Sequence, residues 1–175
     1  MRNQKRKRLE IMSFSAGVVT VSDKGSRGER EDLSGKEVVR MLEELSILIS
    51  ETAIIPDEKD QIRQTLIDLA DNKKLDLIVT TGGTGVTPRD VTPDATLEVI
   101  ERVLPGMAEA MRQESLKKTP HAMISRAVAG IRGQTLIINL PGSPRGVREN
   151  LAVILPALKH ALEKIRGDET ECATP

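Results

Sequence analysis

Four short apolar runs rich in β-branched residues constrain this chain more than anything else in it: AGVVTVSD from Ala16, ILISETAIIP from Ile47, LDLIVTT from Leu75 and TLIINLP from Thr135. Each is too short for a helix of ordinary length and reads as a strand, AGVVTVSD as a buried one. Between them lie segments with helical spacing. Val38, Val39, Met41, Leu42 and Leu45 form one apolar stripe, and Ile62, Leu66 and Leu69 a second. Strands alternating with helices imply βαβ units and a largely parallel sheet covered on both faces. The fold class is therefore α/β, a three-layer α/β/α sandwich with a mostly parallel, mixed sheet.

Helix boundaries follow from capping chemistry. Ser34 or Asp32 caps the first long helix, and Asp57 is placed to cap the next. Thr92-Pro93-Asp94 reads as a helix start with a Thr cap, and that helix runs to Pro105-Gly106. A further helix covers MAEAMRQESLKK, and MISRAVAGIRGQ has no clear form. Ser143-Pro144 repeats the cap-plus-proline start. Pro156 is expected to kink or split the last helix, which ends near Ile165.

In parallel sheets ligands bind at the carboxyl ends of the strands. Three loops leave those ends here, VSDKGS, TTGGTGVTPRD and NLPGSPRG, with Asp57 on a fourth. Gly82, Gly83 and Gly85 let the backbone take positive φ, and amides in such a turn can form an anion nest. A tight strand-to-helix turn without a ligand has the same sequence. The turn is not a Walker loop, because no Lys-Ser/Thr ending follows Gly82, and the dinucleotide pattern fails at Pro88. A phosphate loop without lysine needs other cationic help. Two carboxylates, Asp57 and Asp90, suffice for Mg²⁺ when phosphates complete its shell. Each also reads as a cap, and Asp90 as an ion-pair partner of Arg89. Asp23 is a third acid on the same edge. Ser143 opens a helix whose free amides suit an anion. Ser125 and Arg126 could donate to one.

The 175 residues allow one domain, with a basic tail at 1–13, the folded unit at 14–166 and a polar tail at 167–175. Twenty-six basic and 26 acidic residues cancel, so neither nucleic acid nor an anionic membrane is indicated as a partner. Phe14 is the only aromatic, which removes the usual stacking platform for single-stranded nucleic acid. With two histidines, His121 and His160, and one cysteine, Cys172, no zinc cluster or Cys–His nucleophile is expected. No apolar run reaches the ~18 residues of a membrane span. The expected setting is a reducing cytoplasm.

TTGGTGVTPRDVTPDAT, IIPDE, SRAVAGIRG and TLIINLPGSPRG together resemble the molybdopterin adenylyltransferases: bacterial MogA-like proteins, the corresponding plant domain and the gephyrin G domain. The resemblance runs from about Phe14 to about Ile165. It implies Mg²⁺-dependent transfer of AMP from ATP to the molybdopterin phosphate, a homotrimer, and delivery to a MoeA-like molybdate-insertion protein. It implies catalytic and metal roles for Asp57 and Asp90. Phosphate or nucleotide contacts fall to Ser22, Asp23, Thr81, Gly82, Gly83, Thr84, Gly85, Asn139, Pro141, Gly142 and Ser143. Pterin contacts fall to Ser125 and Arg126. The chain departs from the gephyrin-like version at Pro144 and Arg145, where that version carries two lysines. A MoaB-like paralogue that binds molybdopterin without turnover is the alternative. A gephyrin-like scaffold is a third reading, which the short chain disfavours.

Overall fold

A computed structural model describes residues 14–168. The expectations for residues 1–13 and 169–175 lie outside the described residues. Six strands form one sheet: β1 (Ser15–Val21), β2 (Leu48–Ile55), β3 (Leu77–Thr81), β4 (Arg102–Val103), β5 (Ala129–Arg132) and β6 (Thr135–Leu140). Their order is β2-β1-β3-β6-β5-β4. The first four in that order are parallel, and β5 and β4 are antiparallel additions at one edge.

The period-two geometry of a strand sends alternate residues to opposite faces. Ala16, Val18, Leu77, Val79, Leu136 and Ile138 join one core. There they meet α2 (Leu33–Glu44), α5 (Pro105–Leu116) and α6 (Pro144–Ile165). Val19, Val21, Ile78 and Ile137 join the other core, against α3 (Lys59–Ile67) and α4 (Thr92–Val99). The three-layer α/β/α sandwich follows from this alternation. A one-turn helix, α1 (Asp23–Ser26), leaves β1, a π-helical turn (Asp68–Asn72) extends α3, and a 3₁₀ turn (Pro120–Ile124) follows α5. No helix among the described residues is long and apolar enough to cross a membrane.

Capping divides the sequence expectations. Asp32 caps α2, accepting from the Gly35 amide at 2.8 Å, and its other oxygen takes the Thr20 hydroxyl at 2.7 Å. Ser143 caps α6 through the Gly146 amide at 3.0 Å. Asp57 does not cap α3, whose flanking residue is Glu58 without a side-chain bond. Asp57 turns instead toward Asp23. Thr92 does not cap α4 either. Its amide is already bonded to the Gly83 carbonyl at 3.1 Å, inside the turn. Its buried hydroxyl has no hydrogen-bond partner among the described residues.

One helix expectation is corrected and another is narrowed. The helix from Thr92 ends at Val99, not near Pro105. Glu101 and Leu104 instead donate to Ile131 and Ala129 at 2.8 Å each, which draws Arg102–Val103 into the sheet. Pro156 does not split α6, which is continuous from Pro144 to Ile165. Pro156 and Ala152, whose carbonyl loses its amide partner, both lie on the exposed side of the helix.

Candidate functional site

The carboxyl ends of β1, β2, β3 and β6 gather the four loops. Ser22 continues β1, donates its amide to Ile55 at 2.8 Å, and caps α1 through Gly25 at 3.0 Å. Asp23 and Asp57 then bind each other's backbone. The Asp23 amide donates to Asp57 Oδ2 at 2.8 Å, and the Asp57 amide donates to Asp23 Oδ1 at 3.1 Å.

The glycine turn follows β3 directly. Gly82 and Gly83 have φ of +103° and +63°, values that favour glycine. The Gly82 amide donates to the Leu140 carbonyl at 3.1 Å, so the turn is pinned to the end of β6. Gly142 packs against it so closely that a Cβ there would stand 3.2 Å from Gly82 Cα. Two acids flank the turn. A Cβ on Gly83 would lie 3.0 Å from Asp57 Oδ1, and one on Gly85 would lie 2.9 Å from Asp90 Oδ2. Asp90 Oδ2 accepts from the Thr87 amide at 2.8 Å and hydroxyl at 2.7 Å, which closes the tip of the loop.

Arg89 does not pair with its neighbour Asp90. It donates to both carboxylate oxygens of Asp23, at 3.1 and 2.9 Å, and to Glu58 at 2.8 Å. These bonds hold the Asp23 carboxyl below the usual carboxylate range and push the Arg89 guanidinium above its ordinary value. Asp57 moves the other way. Burial pushes its carboxyl up, and the negative charges of Asp23 and Asp90 add to that. The bond with Asp23 and the charge of Arg89 only partly oppose it.

Two cavities open on either side of the glycine turns. The first, about 500 Å³, is lined by Ser22, Asp57, Thr81, Gly82, Gly83, Asp90, Gly142 and Ser143, with Arg30 the one cation on its wall among the described residues. The second, about 490 Å³, is lined by Thr84, Gly85, Ser125, Pro141 and Ser143. Arg112, Lys118 and Arg145 give this second cavity a cationic wall, with Glu149 its one acid among the described residues. Arg145 and Lys118 hold Glu149 from 3.0 and 3.4 Å, and they lower its pKa. Ser143 lines both cavities.

Three of the candidates from sequence line neither cavity. Asn139 is fully buried beneath the site. Its amide nitrogen donates to the Thr80 and Thr96 hydroxyls at 3.0 and 2.9 Å, and its oxygen accepts from Val128 at 3.3 Å. It braces the floor and contacts no cavity. Asp23 is consumed by Arg89 and the Asp57 amide. Arg126 pairs with Asp94 and donates to the Asp90 carbonyl at 3.2 Å. Conversely, Arg30, Arg112 and Lys118 went unremarked in the sequence. Arg112 lies on α5, where the apolar spacing dominates the pattern, and its guanidinium reaches the Ala127 carbonyl at 2.8 Å.

A doubly wound sheet with paired cavities at its carboxyl edge is a small-molecule-binding α/β domain. Residues 17–160 match the family model described as a probable molybdopterin binding domain, and the chain belongs to that family. It is 47% identical over 160 residues to a molybdopterin adenylyltransferase of Helicobacter pylori (strain J99 / ATCC 700824), covering 90% of this chain and 91% of that protein. It is 44% identical over 175 residues to gephyrin of Dictyostelium discoideum, covering 94% of this chain and 24% of that protein. Among solved structures, the molybdopterin biosynthesis enzyme MoaB of Thermus thermophilus matches with a TM-score of 0.84 and 50% identity, over 89% of this chain and 98% of that one. The resemblance read from TTGGTGVTPRD and NLPGSPRG is borne out at the level of family and fold.

Proposed function

We propose that this chain transfers AMP from ATP to the terminal phosphate of molybdopterin, releasing pyrophosphate. The observation that carries the reading is Ser143, shared by an acid-flanked cavity and a cationic one across the glycine turns. The H. pylori relative named as such a transferase supports it.

The first cavity takes the nucleotide, with its phosphates against the backbone of Gly82 and Gly83. The second takes the pterin, its negative charge met by Arg112, Lys118 and Arg145, with Ser125 at the wall. A phosphate oxygen of molybdopterin then forms a bond to the α-phosphorus, and the bond from that phosphorus to the β-phosphate oxygen breaks. The electron pair leaves with pyrophosphate. The attacking phosphate is already ionised, so no general base is required. The chain's own contribution is positioning and charge.

The donor set fits Mg²⁺, which needs only one or two carboxylates beside substrate phosphates. Asp57 Oδ1 and Asp90 Oδ1 carry no hydrogen bond among those described, and burial, with the charges of Asp23 and Asp90, disfavours the bare Asp57 carboxylate. A magnesium ion held by these two acids supplies neutralisation of the charge that develops on the leaving phosphates. Delivery of the product to a MoeA-like insertion protein and a homotrimeric assembly belong to the same proposal.

Folded protein incubated with molybdopterin, ATP and Mg²⁺ is expected to yield adenylyl-molybdopterin, and Asp90→Ala to cut turnover at least about 100-fold. Molybdopterin binding without product, in wild type and variant alike, would identify the binding paralogue instead.

A further inference from the structure

Asp57 and Asp90 reach the first cavity from different loops, and one side chain outside that cavity connects them. Arg89 lines neither cavity. It precedes Asp90 by one peptide, yet its fork grips both oxygens of Asp23, at 3.1 and 2.9 Å, and Glu58 at 2.8 Å. Asp23 in turn exchanges amide bonds with Asp57, at 2.8 and 3.1 Å. The path from one acid to the other is thus a peptide bond, a two-pronged ion pair and a reciprocal pair of backbone bonds. It ties the loops after β1, β2 and β3 at one point.

We propose that Arg89 is a positioning residue that sets the placement of Asp57 relative to Asp90. The inference rests on the proposed adenylyl transfer. Only a guanidinium matches a carboxylate with two parallel donors, which fixes direction as well as distance. The Arg89 side chain is 53% exposed and that of Asp23 31%. Ion pairs this exposed contribute little to global stability. The value of the contact is therefore in geometry, and its loss is read in turnover before it is read in melting. Because Arg89 touches no cavity, its removal leaves the glycine cradle intact and nucleotide affinity nearly unchanged.

The test combines amide hydrogen exchange at Asp23 and Asp57 with adenylyl-transfer kinetics, on wild type, Arg89→Ala, Arg89→Lys, Asp23→Asn and the Arg89→Ala/Asp23→Asn double variant. Arg89→Ala is expected to lose about 10-fold of exchange protection at both amides while distant core amides keep theirs. Its kcat is expected to fall roughly 10- to 100-fold, with KM for ATP held within about 3-fold. Arg89→Lys regains part of both losses, and the double variant falls no further than Arg89→Ala, because both act through one contact. Unchanged protection in Arg89→Ala overturns the proposal. So does a raised KM with intact kcat, which would make Arg89 a ligand contact. Should the alanine variant not fold, Arg89→Lys carries the same comparison, since it keeps the charge and loses the fork. If wild type makes no adenylylated product, the functional reading fails, and the exchange data still decide whether Arg89 holds the Asp23–Asp57 couple.

Discussion

Thr81 and Pro141 are joined by one hydrogen bond, the Thr81 hydroxyl donating to the Pro141 carbonyl at 2.7 Å. It crosses from the end of β3 to the end of β6, at the point where both strands give way to glycine turns. Thr81 is fully buried, and Pro141 is half-buried at the wall of the second cavity. Thr81→Val keeps the shape and removes the donor. The expected cost is about 1–2 kcal/mol, read from the urea midpoint, and Thr81→Ser should recover most of it.

Two glycines in the same turn should respond differently to alanine. At Gly82 φ is +103°, and a Cβ would run into the Val21 carbonyl oxygen, which is backbone and cannot move aside. Gly82→Ala is expected to destabilise the protein by about 2–4 kcal/mol. At Gly85 the obstacle is the side chain of Asp90. Gly85→Ala should stay within about 1 kcal/mol of wild type while turnover drops, because Asp90 is displaced. Thermal melts and transfer assays on both variants check the contrast.

The raised pKa of Asp57 gives stability a direction with pH. Burial is the main cause, assisted by the charges of Asp23 and Asp90. The folded protein therefore keeps this proton to a higher pH than the unfolded chain does. The associated stability is fully present below the unfolded aspartate pKa and is lost as pH rises through the raised folded value. Asp57→Asn has no proton to lose. The stability of the variant minus that of wild type should grow as pH rises across the acid range and level off above it. Turnover that needs ionised Asp57 should show its acid limb above the ordinary aspartate range.

Pro156 lies inside α6 without breaking it. Alanine there would restore the missing amide and its bond to the exposed Ala152 carbonyl. A gain of about 1–2 kcal/mol is expected, less than the full cost of an interior proline because the unfolded chain also loosens. Urea unfolding at neutral pH measures it.

The parts legible in the sequence were those set by local pattern. β-Branched runs such as LIVTT announced their strands, and the glycines of TTGGTG announced a turn at the carboxyl edge. Asp32 and Ser143 were readable as caps because capping is a three-residue affair. What was not legible depends on distance along the chain. Arg89 stands next to Asp90 in sequence, and adjacency suggested that pair, but its partner is Asp23, 66 positions away. Asn139 sits in a loop-like motif, yet it is the last-but-one residue of β6 and points into the core between Thr80 and Thr96. β4 has two residues and no pattern of its own. It exists only because β5 offers it an edge.

Gly82, Gly83 and Gly142 line the first cavity and Gly85 the second, and Ser143 touches both. At those four positions the boundary is main chain without a side chain, and Thr84, Pro141 and Ser143 fill it between them. Molecules lodged on its two sides would be neighbours without ever sharing a chamber. Each could be recognised by its own walls, and they would meet only where the partition ends. A Cβ added at any of the four glycines would thicken that boundary, and the first thing lost would be the reach of one guest toward the other.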